Sequence, residues 1–378
     1  MTEQATRVHC DPEKKHDFVL LFDVADGNPN GDPDAGNLPR TDPETMEGLV
    51  TDVALKRKVR NFVAAVAGDE DYADRREALN IYVEHKGAAL NAQHRKAYRA
   101  KGIATSEPSS EEINDQSLVE PFSRGLPEGF TLNEPTGESQ RHRLTYSGEL
   151  STKDLTAALG AIGEQQGPAA RKFAERVAKK AKKVDPTRKQ IGDAREWMCQ
   201  SFYDIRMFGA VMTTGINAGQ VRGPLQLTFS RSVGPIIPQD LAITRVAVTR
   251  EEEQDKKETE IGRKTLIPYG LYVGRGFFSP HLAKQTGVTA EDLNLFWDAL
   301  VYMWDFDRSA SRGTMSPRGL YVFTHEKKYG NAPVHELFER VNPSRREEVA
   351  SPRKFSDFVV EINESDMPEG VTLTRVLG

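Results

Sequence analysis

At 378 residues the chain is long for one simple domain and short for three, and 38% hydrophobic with 28% charged residues is the composition expected of a soluble globular protein with long exposed segments. No apolar run reaches membrane-spanning length, the N-terminus MTEQATRVHC lacks a signal peptide's apolar core, and the two cysteines, Cys10 and Cys199, are far apart, which argues against a membrane, a disulfide framework or a zinc ribbon and for a reducing cytoplasm. The formal net charge of −5 counts only weakly against a nucleic-acid partner, because residues 1–50 are acidic while cations crowd into LKRKVR (55–60) and RKFAERVAKKAKKVDPTRK (171–189).

HDFVLLFDV (16–24) is a short apolar run of β-formers that stops at a turn cluster, which predicts a buried central strand. Residues 25–48 read as a long loop of Gly, Pro and Asp. A helix follows from about Val50 to Ala67, with Leu55, Val59, Phe62 and Val66 toward the core and Lys56, Arg57 and Arg60 on the other side. NIYVEHK (80–86) reads as a second strand. Residues 87–193 read as an insertion, partly helical over 151–183, whose stretch 104–140 is too poor in apolar residues to supply a core of its own. Phe173 and Val177 give its basic helix a narrow packing stripe, so the lysines there are read as solvated surface.

Helical order returns at REWMCQSFYDIRMFG (195–209). A glycine-rich turn, TTGINAGQVRG (213–223), leads into an alternating strand, PLQLTFSRS (224–232). Within 244–279, TRVAVT and TLIPYGLYVG flank a charged tip too polar to bury, which predicts a protruding hairpin. AEDLNLFWDALVYMWDFDRS (290–309) is an amphipathic core helix, and GLYVFTHE (319–326) and KFSDFVVEI (354–362) are late strands. No fixed-period repeat is present. The order fits an α+β fold with a ferredoxin-like core of two βαβ halves, drawn from 16–86 and 194–378, with 87–193 inserted.

Asp26, Asn28, Asn30 and Gly31 open like a calcium loop, but the closing ligand position is Asn37 rather than Glu, Pro29 and Pro33 stiffen the loop, and a strand precedes it. The loop is therefore a structural turn, or a stiff surface laid against a phosphate backbone with Asn28, Asn30 and Arg40 as contacts. Metal-hydrolase, Walker A, dinucleotide and nucleophile-elbow signatures are absent, so the sequence makes no positive case for catalysis or for a cofactor. VGRGFFS (273–279) and PRGLYVF (317–323) each resemble part of the RNA-recognition strand motif, and serve equally well as ordinary buried strands. The cations of the 50–67 helix suit phosphates as well as solvent. Asn217, Gln220 and Arg222, on a Gly-rich turn, suit phosphate or sugar.

FDVADGNPNGDPDAGNLPRTDPETMEGLVTDVALKRKVRNFV (22–63), GAVMTTGINAGQVRGPLQLTFSRSVGPI (209–236) and GRKTLIPYGLYVGRGFFSP (262–280) resemble the repeated backbone subunit of the type I CRISPR Cascade complex in its subtype I-C form, the Cas-seven superfamily. The resemblance implies a modified RRM-like palm, inserted fingers at 87–193 and a thumb hairpin at about 244–265. It implies copies stacked head to tail along CRISPR RNA, whose exposed segments pair with target DNA, beside a handle-binding and a large PAM-reading subunit. It implies no catalysis by the subunit itself. Carried over block by block, Asn28, Asn30 and Arg40 fall on a palm loop, Lys56, Arg57 and Arg60 on the helix beside the guide, Gln220 and Arg222 near the RNA, and Arg263 and Lys264 at the thumb's base. Met46 departs from the pattern, which leads one to expect a glycine there. The alternative from the residues alone is a metal-dependent endoribonuclease processing repeat RNA, with Asp23, Asp26, Asp32 and Asp34 holding Mg²⁺.

Overall fold

Nine consecutive residues of the run 16–24 are buried at the centre of strand β1 (Lys15–Gly27), as a continuous apolar strand requires. This is seen in a computed structural model that describes residues 7–84, 89–135, 141–150, 152–214, 216–247, 249 and 259–378. The chain divides into two units, the first of Met1–Ala88, Met198–Val211 and Gln220–Gly378, the second of Ala89–Trp197 and Met212–Gly219. No helix among the described residues is long and apolar enough to cross a membrane.

In the first unit β1 is followed by β2 (Glu47–Val50), α1 (Asp52–Val66), α2 (Tyr203–Phe208), β3 (Leu225–Leu227), β4 (Ser230–Pro235), β5 (Gln239–Arg245), β6 (Glu260–Phe278), α3 (Ala290–Phe306), β7 (Thr314–His325) and β8 (Val371–Leu377). One sheet runs in the order β8-β7-β1-β6-β4-β2, with β3 and β5 also pairing along β6, and every ladder is antiparallel. Helix α1 starts where the Thr51 hydroxyl accepts the Ala54 N–H and Asp52 meets the positive end of the helix dipole. Helix α3 starts on a capping box of Thr289 and Asp292. Leu55, Val59 and Phe62 of α1 and Phe296, Trp297 and Trp304 of α3 close over Phe18, Leu20 and Phe22 on one face of β1.

The opposite face is closed too. Val19, Leu21, Tyr321 and Phe323 lie under Leu337, Phe338 and Val341. Of the aromatics in the two RNA-recognition-like strands, Phe278, Tyr321 and Phe323 are buried and Phe277 is half-buried against Phe338.

Several expectations are corrected. NIYVEHK is no strand: only Asn80 makes an isolated bridge, to Phe202, and residues 85 and 86 lie outside the described set. The reason is chemical, because the backbone N–H groups of Tyr82 and Val83 donate to the Asp204 carboxylate at 2.8 and 3.2 Å instead of to a strand. PLQLTFSRS is interrupted between β3 and β4, where Thr228 donates to the Arg275 carbonyl at 2.9 Å. In KFSDFVVEI the strand begins at Phe358, and it pairs with Val341–Arg345 rather than with the main sheet. The hairpin begins at Gln239, paired with Leu266, and most of its tip (248 and 250–258) lies outside the described residues. The helical stretch 151–183 is two helices, Thr152–Gln166 and Pro168–Lys180, separated at Gly167, whose φ is 93°. The stretch 104–140 packs into a core that it shares with later residues: Ile113, Leu118, Phe122 and Phe130 meet Leu144, Phe173 and Val177 in the second unit. Its apolar residues are sparse, but short elements deliver each of them to the same helix stripe.

Candidate nucleic-acid interface

The loop after β1 is built by its own side chains. Gly27 admits no side chain, since a Cβ there would lie 1.8 Å from the Arg312 carbonyl oxygen. Asn28 is buried; its backbone N–H donates to the Ser311 carbonyl at 2.8 Å and its amide donates to the Asn37 carbonyl at 2.7 Å and to Thr265 Oγ1 at 3.3 Å. The Asn30 side-chain oxygen accepts from the Thr51 N–H at 3.0 Å and its hydroxyl at 2.9 Å, which locks the loop to the start of α1. Both asparagines build the loop rather than stand open on it. Arg40 is half-buried, 3.6 Å from Asp32. Met46 adopts φ 58°, the left-handed conformation that favours glycine, at the position where glycine was expected.

On α1 the three expected cations differ. Lys56 pairs with Asp52 at 2.8 Å and Arg60 with Asp204 at 2.7 Å, and both sit over the Phe208 ring, 5.8 and 5.4 Å from its centroid. Only Arg57 makes no ion pair among the described residues. All three are half-buried, and two of them are engaged by neighbours: α2 supplies Asp204 to Arg60 and the Phe208 ring to both Lys56 and Arg60. Lys58 is buried against the Asp307 carboxylate, which also holds Arg312 at 3.1 Å. Burial, then the neighbouring Arg312, brings the Lys58 ammonium down to about 8 despite Asp307.

Phe208 leads into Gly209, whose partner in a short ladder is Arg222, while Val211 pairs with Gln220. The Gln220 and Arg222 side chains are exposed, and Asn217 belongs to the second unit. On the hairpin Arg263 is exposed and paired with Asp240, and Lys264 is half-buried opposite Leu241. Thr265 Oγ1 donates to the Asn37 carbonyl at 2.9 Å, which joins the hairpin base to the loop.

The three sequence blocks thus meet in space. Asn28 bonds to Thr265, Val50 pairs with Ser230, and Arg231 pairs with Val273. The contacts spread along the unit. The loop and hairpin base lie at the Gly27 end of β1, whose 13 residues span roughly 40 Å at about 3.3 Å each. At the Lys15 end lies a pocket of about 530 Å³ lined by Lys15, Arg222, His281, Lys328 and Tyr329 among others. Sequence reading missed this pocket; the signal was EKKYG (326–330), paired lysines and a tyrosine at a strand's end.

The four aspartates of the nuclease alternative do not converge. Asp23 is buried, accepting from Tyr269 at 2.6 Å and Arg318 at 2.8 Å, and Asp32 accepts from the Asp34 N–H at 3.1 Å. Among the described residues no group of three His, Cys, Asp or Glu side chains is placed to hold a metal ion.

A family profile described as CRISPR-associated protein Cas7 matches residues 14–124 and 148–363. A curated relative, the CRISPR-associated protein Cas7 of Haloferax volcanii, is 45% identical over 47 residues, which are 12% of this chain and 14% of that protein. Two chains of solved structures, described as a CRISPR RNA-guided surveillance complex in a pre-nicking state and a CRISPR RNA-guided surveillance complex, are 15% and 14% identical. The overlaps cover 82% of this chain and 78% and 75% of theirs, with TM-scores of 0.42 and 0.37.

Proposed function

The chain belongs to the CRISPR-associated protein Cas7 family, and from that premise we propose that it is a non-catalytic CRISPR RNA-binding backbone subunit of a type I-C Cascade. The observation that carries the reading is the convergence of the three family-like blocks: Asn30, Thr51, Asn28 and Thr265 tie the loop and the start of α1, from the first, to the hairpin base of the third, and the second joins them through the Val50–Ser230 and Arg231–Val273 pairs. Two further features support it. The chain order β1-α1-β4-β6-α3-β7 with lateral order β7-β1-β6-β4 suits a ferredoxin-like, RRM-like palm. The second unit serves as the fingers, and the β5–β6 hairpin, with every β5 residue exposed, serves as the thumb.

Because apolar clusters pack on both faces of the sheet, the guide runs along the rim of the unit, past α1, the hairpin base and the Gln220–Arg222 strand. Its phosphates meet Arg57, Lys264 and Arg222, which position a strand without reading its bases. Arg40, Lys56 and Arg263 border that path, with Gln220 beside Arg222. Copies stack head to tail through a heterologous contact that does not close. The guide's exposed segments pair with target DNA in the cytoplasm, and the handle-binding and PAM-reading subunits complete the assembly. The test is the double variant Arg57→Glu with Lys264→Glu, assayed against single-stranded RNA across a salt series. Affinity falls and the salt dependence flattens if these cations meet phosphates; unchanged affinity and slope remove this path.

A further inference from the structure

We propose that the pocket at the Lys15 end of the sheet is a nucleotide pocket for single-stranded nucleic acid, taking one base against the Tyr329–His281 ring pair and its phosphate on Arg222 and Lys328. This rests on the reading of the chain as a guide-binding subunit and adds a second point of grip, roughly 40 Å along β1 from the loop and hairpin base.

The first argument is charge. The chain is acidic overall, at −5, yet no carboxylate lines this pocket. Lys15 is balanced by the buried Asp17. Lys328 lies 3.7 Å from Glu13, but both side chains are more than half exposed, so water screens that pair. Arg222 is exposed and makes no ion pair among the described residues. Two cations are therefore available to an anion. A guanidinium suits a phosphate as a fork, and an ammonium suits it as a point charge.

The second argument is the aromatic face. Tyr329 is 87% exposed, whereas most of the unit's other aromatics pack in its cores. Its ring centroid lies 5.0 Å from that of His281, tilted by 34°. The turn that carries it is fixed: the Gly330 N–H donates to the Lys327 carbonyl and the Lys327 N–H to Asn331 Oδ1, both at 2.9 Å. An open aromatic on a rigid turn beside two cations is the combination that stacks a base and holds its phosphate. An acidic peptide would use the cations and leave the rings idle. The volume of about 530 Å³ falls within the range of about 300–1,000 Å³ of small-ligand pockets. Stacking accepts any base, so the pocket confers little sequence preference.

The test uses the full chain, with fluorescent oligouridylate and oligothymidylate as probes. Tyr329→Ala and Arg222→Glu each weaken single-strand binding by about ten-fold, with an unchanged denaturation midpoint. A loss confined to RNA assigns the pocket to the guide; a loss on DNA assigns it to the target or displaced strand. Unchanged affinity for both probes in both variants, while Arg57→Glu with Lys264→Glu still weakens RNA binding, overturns the pocket and removes Arg222 from the guide path, and leaves the guide-binding reading standing on Arg57 and Lys264. If that double variant also binds normally, the guide-binding reading itself fails. Binding of the acidic peptide EEEQDKKETE that is lost in Arg222→Glu but untouched by Tyr329→Ala overturns the nucleotide pocket in favour of a protein partner.

Discussion

Arg57 and Arg60 stand three residues apart on α1, and replacing each with alanine should produce opposite phenotypes. Arg60 bonds to Asp204, which is 1% exposed and also accepts the Tyr82 and Val83 N–H groups. Breaking a buried ion pair costs about 3–5 kcal/mol when the remaining charge has no other partner. Here two backbone donors remain on the carboxylate, and Arg60 keeps 13% of its side-chain exposure, so the expected loss is about 2–3 kcal/mol. The Arg60–Phe208 contact adds about 0.5–1 kcal/mol. Arg57 has no such partner, and its removal should change stability by less than about 0.5 kcal/mol. If Arg57 touches one phosphate, however, its removal lowers the slope of log affinity against log salt by about 0.7 for a single strand. Urea titration at constant m-value reads the first effect, and anisotropy across a salt series reads the second. An Arg60→Ala protein with an unchanged midpoint but a lost RNA contact would refute the assignment of Arg60 to the fold. A shifted midpoint in Arg57→Ala would refute the assignment of Arg57 to the surface.

Burial lowers the His16 imidazole to about 4, against the opposing bond to the Asp11 carbonyl. Between about 4 and 6.5 the unfolded chain binds a proton that the folded one refuses, so this group takes away up to about 3 kcal/mol as pH falls through that window. His16→Gln should flatten the acid loss in urea midpoint, and an unaltered profile would remove His16 as its source. Lys58 follows the same rule at the alkaline end: with its folded value near 8 and its ordinary value 10.5, its contribution to stability rises with pH across that interval. Lys58→Met should lessen that rise, and an identical rise in both proteins would count against the assignment. Gly27→Ala, which drives a methyl into the Arg312 carbonyl, should lower the denaturation midpoint and loosen the loop, read as faster hydrogen exchange at the Asn28 amide that donates to Ser311; unchanged exchange would mean that the loop yields freely.

Elements with one clean period were legible in the sequence. β1, α1 and α3 follow from runs whose apolar pattern matches a single geometry, whereas the hairpin was legible from its charged tip but not in its first arm, which is β5 at Gln239–Arg245. Residues 80–84 were not, because a carboxylate more than a hundred positions away takes the N–H groups that a strand would have used. The second unit's core escaped for a related reason: each short element brings one apolar residue, and no window of sequence contains enough of them to register. The helix cations were legible as charges but not as partners, since Asp204 and Phe208 come from another part of the chain. The pocket at the Lys15 end is assembled from positions 15, 222, 281, 328 and 329, and no local pattern unites them.

The most direct test of a guide path along this rim is photo-crosslinking of 4-thiouridine-substituted CRISPR RNA to the purified protein, with the attached peptides located by mass spectrometry. The account predicts attachment within residues 28–60, around Arg222, and at the hairpin base near Lys264. Attachment confined to residues 89–197, or none at all with RNA in excess, would contradict it.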